Sequence, residues 1–483
     1  METDIVVMGS GATGLSAAVT AAESGAKVVL FEKQRSLGGT SNFFQGTFAV
    51  ESDMQRQRYI TYSRDEAFKG IMEYSHWRAN PRIVRAIVNE SRETIAWLQQ
   101  EGIAFTDATI NMPNAPRTYH TIKGYGETFV KTLVTKAKEQ GVDIKLGAPV
   151  KRIVMKGRRI NGVIAEQDGA ETEVGAKALI IASGGYANNK EWIKRYSGFD
   201  LGVNLFPLGN VDKMGDGIRM AWEAGAAEEN IGTLELFARG PVGPEFALGN
   251  PLEIAATQPD LWVDAQGERY CDEFIGFYDS STGNASARQK APFTYRLFDD
   301  SIKESLLVEG IHRNAGMDNP PGSRPLHLDK ELAAALERKS TEVFAAGTVE
   351  ELAVKMKADP ATLASTVREY NAFCEKGHDD LFAKDRKYLR PLKGPTFYAI
   401  RARTVCLGTL GGIRINHRME VVDKKGVPIP GLYAGGFDAG GMWGDSYSIN
   451  ASSGLSSSFA INSGRIAGRN AMAYLRGFSD EEA

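Results

Sequence analysis

The stretch "DIVVMGSGATGLSAAVTAAESGAKVVLFEK", residues 4–33, decides the fold of this chain. A short β-branched run leads into Gly9-x-Gly11-x-x-Gly14, a small-residue segment follows as a predicted helix, and a second apolar strand ends at Glu32. The glycines permit a tight turn, close approach of the backbone to a pyrophosphate and close packing of the helix on the strand. Glu32 follows the first glycine by roughly twenty residues, where an acidic side chain accepts hydrogen bonds from ribose hydroxyls. The stretch therefore predicts a dinucleotide-binding βαβ unit.

Length and composition narrow the class of protein. The 483 residues suffice for two or three domains, and the net charge of −3 without a basic cluster argues against nucleic acid as a partner. No apolar run is long enough to span a membrane, and the first strand begins too early for a targeting segment. Cys271, Cys374 and Cys406 are far apart and form no metal motif. We expect a cytoplasmic protein with no metal site.

Three further glycine-rich blocks identify the dinucleotide. Residues 32–46, "EKQRSLGGTSNFFQG", place small residues and hydroxyls where a second phosphate contact falls. Residues 177–189, "KALIIASGGYANN", are typical of a strand closing over a nucleotide, and residues 428–444, "PIPGLYAGGFDAGGMWG", of a strand that brings backbone amides to a flavin. The blocks are widely separated along the chain, so their joint occurrence is not accidental. We interpret the cofactor as FAD.

The chain resembles the fumarate reductase/succinate dehydrogenase family of flavoproteins. Aspartate oxidase, urocanate reductase and 3-ketosteroid dehydrogenases also belong to this family. The resemblance is carried by "MGDGIRMAWEAGA" (214–226), "VDAQGERYCDE" (263–273), "LGTLGGIRIN" (407–416) and "GLYAGGFDAGG" (431–441). These motifs occur in the family's order and the resemblance covers almost the whole chain.

The resemblance implies an α/β fold: a Rossmann-like FAD-binding domain of the glutathione-reductase type with an inserted α+β capping domain. The FAD domain would comprise residues 1–235 and 355–483, and the cap residues 236–354, which would hold substrate against the flavin and exclude water. Covalent attachment of FAD in this family needs a histidine after the second glycine pair. The sequence "SNFFQG" (41–46) has none, so we expect non-covalent FAD.

The motifs and the resemblance together predict the cofactor contacts. The N-terminus of the last helix, at Ser453–Ser457, would stabilise negative charge at the N1–C2=O end of the flavin. The predicted FAD-binding residues are Gly9, Gly11, Ala12, Gly14, Glu32, Lys33, Gly39, Thr40, Ser41, Gly46, Val150, Ala182, Ser183, Gly184, Asp216, Gly436, Asp438, Gly454, Leu455 and Ser456.

The sequence departs from the family at the groups that bind a dicarboxylate. The histidine of the family's H-T-M-G-G is Gly408, the substrate arginine falls on Ala451, and the acid-catalyst arginine falls on Phe277. Glu253 aligns with the carboxylate of the family's proton-delivery path, but the arginine that follows it is Ala256 here. Burying two carboxylates without cationic partners costs several kcal/mol each, so fumarate, succinate and aspartate are poor candidate substrates.

Aromatic residues stand where these polar groups are missing. Phe277, Tyr278, Trp443 and Tyr447 are expected around the position above the flavin, in which respect the chain resembles 3-ketosteroid dehydrogenases and tetrahydrodaidzein reductase. Such a site suits an apolar cyclic substrate that is steroid-, isoflavonoid- or phenylpropanoid-like. The candidate catalytic residues are Tyr278, Tyr447, Asp445, Asp212, Arg239 and His120.

The leading interpretation is an FAD-dependent oxidoreductase that reduces an activated C=C or related bond by hydride transfer from flavin N5. The oxidative direction, as in a 3-ketosteroid dehydrogenase, stays open because the same flavin and tyrosines serve both. A third interpretation is an electron-transfer subunit of a larger redox complex. With a single dinucleotide motif, we expect a small-molecule substrate and an electron donor or acceptor that is a reduced flavin, a small redox protein or NAD(P)H.

Overall fold

The computed structural model describes residues 2–109, 115–316, 318–447 and 452–481. The strands are β1 (Glu2–Met8), β2 (Val28–Glu32), β3 (Gly46–Phe48), β4 (Phe105–Thr109), β5 (Tyr119–Ile122), β6 (Asp143–Leu146), β7 (Val150–Lys156), β8 (Arg159–Gln167), β9 (Ala170–Ile181), β10 (Phe206–Pro207), β11 (Glu228–Glu229), β12 (Leu234–Arg239), β13 (Leu261–Val263), β14 (Thr294–Asp299), β15 (Val343–Ala346), β16 (Phe397–Thr409), β17 (Gly412–Ile413), β18 (Glu420–Val422) and β19 (Pro428–Ala434).

The α-helices are α1 (Ala12–Glu23), α2 (Asp53–Gln57), α3 (Arg64–Tyr74), α4 (Pro81–Gln100), α5 (Tyr125–Glu139), α6 (Lys190–Ser197), α7 (Asp216–Glu223), α8 (Pro251–Ala256), α9 (Asp279–Ala287), α10 (Asp300–Val308), α11 (Leu328–Glu337), α12 (Val349–Met356), α13 (Pro360–Lys376) and α14 (Leu455–Glu481). Short 3-10 turns lie at Gly39–Asn42, Glu273–Phe277, Arg386–Tyr388 and Gly436–Asp438. No helix in the described ranges combines the length and apolarity that a membrane crossing requires.

The chain divides into two compact units. Unit 1 comprises residues 1–198, 207–235 and 407–483, and unit 2 comprises residues 199–206 and 236–406.

The main sheet of unit 1 has the strand order β18-β19-β9-β1-β2-β6. Strand β1 pairs in parallel with both β2 and β9, so that Val6 lies opposite Val29 on one side and Leu179 on the other. Ile5, Val6 and Val7 have no exposed surface. Covered parallel strands read as continuous apolar runs, which is why the stretch 4–33 lacks polar alternation. The α/β, Rossmann-like class predicted from the sequence is confirmed.

Helix α1 lies on this sheet, and α14 packs on α1 through small residues. Every side chain from Ala12 to Ala22 is buried. A Cβ on Gly464 would lie 2.2 Å from the carbonyl oxygen of Thr13, and one on Gly468 2.8 Å from that of Ala17. The two helices therefore touch backbone to backbone, and this close packing fixes where α14 begins. A smaller antiparallel sheet in unit 1 has the order β3-β5-β4.

Unit 2 is built on antiparallel strands with helices packed against them. Strand β16 pairs with β14 and β15, and β14 pairs with β13. Helix α13 contributes Leu363, Val367 and Tyr370 to the same buried apolar cluster as Leu297 and Ile400 of these strands. This packing explains a difference from the expected boundaries: the sequence assigns residues 355–406 to the FAD domain, but the structure keeps them with unit 2 because the apolar face of α13 completes the core of that unit.

A buried group of charges holds the "VDAQGERYCDE" motif in unit 2. Arg269 binds Glu273 through two hydrogen bonds of 2.9 and 2.8 Å and Asp379 through a third of 2.9 Å. Lys384 lies 3.2 Å from Glu273, and both of these side chains are fully buried. Two cations thus balance two carboxylates away from solvent. The motif's arginine and glutamate, four residues apart, are an internal ion pair.

We predict that Arg269→Met lowers the free energy of unfolding by about 3–5 kcal/mol, because it leaves buried carboxylates with one cation fewer. Urea unfolding followed by tryptophan fluorescence measures this. Arg219→Met, at an exposed pair with Glu223 on α7, is the matched control and should cost about 0.5 kcal/mol or less. Equal effects of the two substitutions would contradict the assignment.

Candidate functional site

The turn between β1 and α1 is shaped by glycines at which no larger residue fits. A Cβ on Gly9, whose φ is 103°, would lie 2.2 Å from the carbonyl oxygen of Ala182, which follows β9. A Cβ on Gly14 would lie 1.9 Å from the carbonyl oxygen of Gly9. A side chain at either glycine would therefore clash with the backbone that follows β9 or β1.

Helix α1 opens onto this turn with its backbone N–H groups. Gly11 occupies the N-cap position and makes no side-chain capping hydrogen bond. The amide of Ala12 donates to Ser41 Oγ over 2.8 Å, and Ser41 lies with Gly39 and Thr40 in the 3-10 turn after β2. The N–H groups of the first turn of α1 and the hydroxyl of Ser41 surround a glycine turn, and such groups are suited to a pyrophosphate.

Glu32 ends β2 beside the same turn. Its carboxylate accepts hydrogen bonds from the amide and hydroxyl of Ser10, at 3.0 and 2.6 Å, and from the amide of Gln34 at 2.8 Å. The amide of Ala148 donates to the carbonyl of Glu32 over 2.9 Å, which brings Val150 and the start of β7 to this edge of the sheet. A fixed carboxylate here suits the ribose hydroxyls of a dinucleotide.

Lys33 forms ion pairs with two of the predicted site residues, Asp212 and Asp216. Its ammonium lies 2.9 Å from Asp216 and 3.2 Å from Asp212. Asp212 is half exposed and has a positive φ of 52°. The carboxylate of Asp212 thus pairs with a lysine that follows β2, and its catalytic role stays a prediction.

Asp438 ties the end of β9 to the glycine turn after β19. Its fully buried carboxylate accepts hydrogen bonds from Ser183 Oγ at 2.8 Å and from the amides of Gly184 and Gly185 at 2.9 and 3.0 Å. Burial raises the pKa of Asp438, and these hydrogen bonds oppose the rise. A Cβ on Gly436 would lie 2.4 Å from Thr13 Oγ1, so the 436–438 turn packs directly on α1.

A second group forms where the start of α14 meets β3. The amide of Phe48 donates to the carbonyl of Gly454 over 3.0 Å, and Ser457 Oγ donates to the carbonyl of Gly46 over 2.7 Å. A Cβ on Gly454 would lie 2.7 Å from the amide nitrogen of Phe48. The first turn of α14 is therefore fixed against β3 by contacts that only glycine allows.

Two buried hydroxyls in this second group have no hydrogen-bond partner within the described part of the chain. They are Thr47 Oγ1 and Ser453 Oγ, on residues that are 1% exposed. Leu455 opens α14 and is fully buried, while Ser456 Oγ lies 3.3 Å from Glu235. Buried hydroxyls without partners next to a helix N-terminus fit a polar ring edge such as that of a flavin. The donor set and the glycine cradle thus fit FAD.

Comparison with known proteins agrees with this geometry. Residues 4–452 match the family model described as FAD binding domain. The chain belongs to this FAD-binding family. It is accordingly an FAD-dependent oxidoreductase, as the sequence motifs predict, and its resemblance to the fumarate reductase flavoproteins is confirmed.

Several known proteins resemble the chain over nearly its whole length. A vinyl phenol reductase of Lactiplantibacillus plantarum is 34% identical over 480 residues, which cover 98% of this chain and 96% of that protein. A digoxin reductase of Eggerthella lenta is 28% identical, covering 98% and 87% of the two chains. Among solved structures, a 3-ketosteroid dehydrogenase from Sterolibacterium denitrificans superposes with a TM-score of 0.79 at 18% identity, over 98% and 99% of the two chains. The last likeness supports the fold alone.

His120 lies in the core of unit 1, on β5. Its ring Nε2 is 2.7 Å from Ser52 Oγ and its Nδ1 is 3.0 Å from the carbonyl of Thr118. The residue has no exposed surface, and burial lowers its pKa to about 4. Both ring nitrogens therefore have protein partners within unit 1, and the contact of His120 with flavin or substrate stays a prediction.

The loop before α14 holds Tyr447 against Trp443. Their ring centroids are 5.2 Å apart and both residues are buried. Trp443 Nε1 has no hydrogen-bond partner among the described residues. Asp445 instead points outward and binds Arg78 over 2.6 Å, so its carboxylate forms an exposed ion pair. Ala451, where the family's substrate arginine falls, lies outside the described residues.

In unit 2, Tyr278 belongs to an aromatic cluster. Its ring lies 5.8 Å from that of Phe274, and Phe277 packs 5.4 Å from Tyr388. Burial and the neighbouring Tyr388 raise the pKa of Tyr278. The tyrosine therefore remains protonated at neutral pH and its O–H group is able to donate.

Arg239, also in unit 2, is paired with Glu253. Glu253 accepts from the guanidinium of Arg239 and from the amide of Gly249, the latter over 2.9 Å. Glu253, which the resemblance aligns with a carboxylate of the family's proton-delivery path, thus has an arginine partner on β12 rather than one on its own helix. The sequence pattern does not reveal this pairing, because the two residues lie on different elements.

Gly408 is crowded by a residue that the sequence interpretation passed over. A Cβ on Gly408 would lie 2.4 Å from the ring of Phe437. Phe437 therefore fills the space into which a histidine at position 408 would project. The available signal was an aromatic residue inside the "AGGFDAGG" turn, where backbone amides alone were expected.

We predict that His120 makes unfolding pH-dependent. Its folded pKa lies near 4, so below pH 6.5 the unfolded chain takes up a proton that the folded chain does not, and stability falls as the pH is lowered. This contribution is about 2 kcal/mol between pH 7 and pH 5. The difference in unfolding free energy between wild type and His120→Gln should shrink by that amount over this range. A constant difference would contradict the lowered pKa.

Proposed function

We propose that this oxidoreductase reduces a C=C bond conjugated to a phenolic or similar apolar ring. The observation that carries the proposal is the likeness to a vinyl phenol reductase across nearly the whole of both chains, at 34% identity. The likeness to a digoxin reductase supports a ring-bearing substrate. Within the classes expected from the sequence, these relatives favour phenylpropanoid-like compounds.

The contacts at the former dicarboxylate positions support this substrate class. The ring of Phe437 takes the space beside Gly408 where a histidine would bind a carboxylate. Arg465 on α14 is the first arginine after the loop that precedes this helix. It is buried and pairs with Glu90 over 2.8 Å. Arg239 is already neutralised by Glu253. Each of these two arginines already has a carboxylate partner, which disfavours a dianionic substrate because its burial requires cations.

The chemistry divides between cofactor and protein. Reduced FAD supplies a hydride, and the saturated product also needs a proton at the other carbon of the former double bond. We assign the proton to a tyrosine hydroxyl, with Tyr447 and Tyr278 as the two candidates. Both hydroxyls lie on rings that pack against other aromatic rings, Tyr447 against Trp443 and Tyr278 against Phe274, and a positioned tyrosine O–H is a proton donor that enzymes use.

We further propose that the FAD is non-covalent, because residues 38–46 contain no histidine, cysteine or tyrosine to attach it. Acid precipitation should release all of the flavin into the supernatant, with none remaining on the protein pellet. Yellow pellet after exhaustive washing would refute the proposal. A commercial flavoprotein with covalent FAD is the positive control.

The substrate is tested by photoreducing the purified holoenzyme without oxygen and following flavin absorbance after each addition. We expect fast reoxidation by 4-vinylphenol and slow reoxidation by fumarate. Styrene and 4-methoxystyrene test whether the free hydroxyl is needed, and a 3-keto-4-ene steroid and an isoflavonoid test the wider ring class. Rapid turnover of fumarate would overturn the proposal. Reduction of the oxidised enzyme by a saturated ring ketone would favour the dehydrogenase direction.

The same assay identifies the proton donor. Replacing the correct tyrosine by phenylalanine should slow reoxidation by about 100-fold or more, with FAD content unchanged. Tyr388→Phe, in the same aromatic cluster as Tyr278, is the matched control and should remain near wild type. Full activity of both Tyr447→Phe and Tyr278→Phe would exclude these two tyrosines as the donor.

A further inference from the structure

Lys213 of unit 1 has a fixed position and is not among the residues that the sequence motifs assign to a function. It lies in the segment before α7, and its backbone is locked to Asn188 in both directions. The amide of Lys213 donates to Asn188 Oδ1 over 2.9 Å, and the amide of Asn188 donates to the carbonyl of Lys213 over 2.9 Å. The residue is 8% exposed, so the ammonium lies inside the protein.

Three cofactor segments meet at this one side chain. The ammonium donates to Thr40 Oγ1 in the 3-10 turn after β2. The methylene chain runs past Gly184, where a Cβ would lie 3.1 Å from Lys213 Cε. The ammonium also lies 5.4 Å from the ring centroid of Phe437, within the range of a cation–π interaction. The turns at Thr40, Gly184 and Phe437 are those that the sequence assigns to FAD.

The side chain of Lys213 lies past the turn that would contact the pyrophosphate. Ser41 Oγ accepts from the amide of Ala12 at the start of α1, whereas Lys213 reaches only the neighbouring Thr40 of that turn. Its side chain also contacts the ring of Phe437 and the backbone of Gly184, whose φ is 87°. Because Gly184 has no side chain, the surface beside it is flat. Such a surface suits a planar ring rather than a phosphate. Resting on the FAD cradle described above, we propose that Lys213 places its positive charge beside the flavin ring and stabilises the reduced form of the cofactor.

The physical basis is the change in cofactor charge. A flavin gains negative charge on reduction, and a nearby cation in a poorly solvated site binds the charged form more tightly than the neutral one. A fixed ammonium therefore raises the reduction potential of the bound FAD. The ammonium would change the difference in affinity between reduced and oxidised FAD. A contact with the pyrophosphate would instead raise the affinity for both oxidation states equally.

The test compares Lys213→Gln, which keeps a donor toward Thr40 but loses the charge, with Lys213→Arg, which keeps the charge. Lys131→Met, at an exposed position on α5, controls for net charge. The reduction potential is measured by equilibration with reference dyes, and the affinity of the apoprotein for oxidised FAD by titration. Thermal unfolding of each variant reports its structural integrity.

We expect Lys213→Gln to bind reduced FAD at least about tenfold more weakly relative to oxidised FAD, which for a two-electron couple lowers the potential by about 30 mV. Lys213→Arg and Lys131→Met should stay near the wild-type potential. An unchanged potential in Lys213→Gln, with or without a loss of thermal stability, would overturn the inference, as would an equal loss of affinity for both oxidation states. If the wild-type protein binds no FAD, the proposed function fails as well, and that result is distinct.

Discussion

Helix α1 lies so close to its neighbours that the contacts admit only glycine. Gly14 brings it onto the carbonyl of Gly9, and Gly464 brings α14 onto the carbonyl of Thr13. These approaches fix both helix N-termini relative to the sheet of unit 1. The two ends of the proposed cofactor site, the pyrophosphate turn and the start of α14, therefore depend on the same backbone contacts. A methyl group at Gly14 or Gly464 would clash with the facing carbonyl and push the helix away from it.

Asp438 extends this arrangement to the C-terminal part of the chain. Its buried carboxylate accepts three hydrogen bonds from the end of β9, so two segments far apart in sequence share one polar centre. Lys213 joins the turn at Thr40 to the same region. Hydrogen bonds between loops, rather than apolar packing, hold this part of the site, since glycine turns have no side chains to pack.

Several charged residues among the predicted site positions are paired within their own unit. In unit 1, Asp212 and Asp216 share Lys33 and Asp445 binds Arg78, and in unit 2 Glu253 binds Arg239. Where the resemblance places a histidine and an arginine, this chain has Gly408, packed by Phe437, and Phe277. This pattern agrees with a substrate recognised through an apolar ring, because an uncharged ring requires no compensating charge when buried.

The sequence by itself determined the fold class, the cofactor and the membership of the family. The glycine spacing and the covered apolar strands are local signals, because a missing Cβ or a continuous apolar run acts on its immediate neighbours. Only the tertiary structure shows the contacts of His120, Phe437 and Lys213. His120 is buried with both ring nitrogens bound, and Phe437 fills the space at Gly408. Their partners lie on other elements, so no spacing along the chain reveals which contacts each side chain makes.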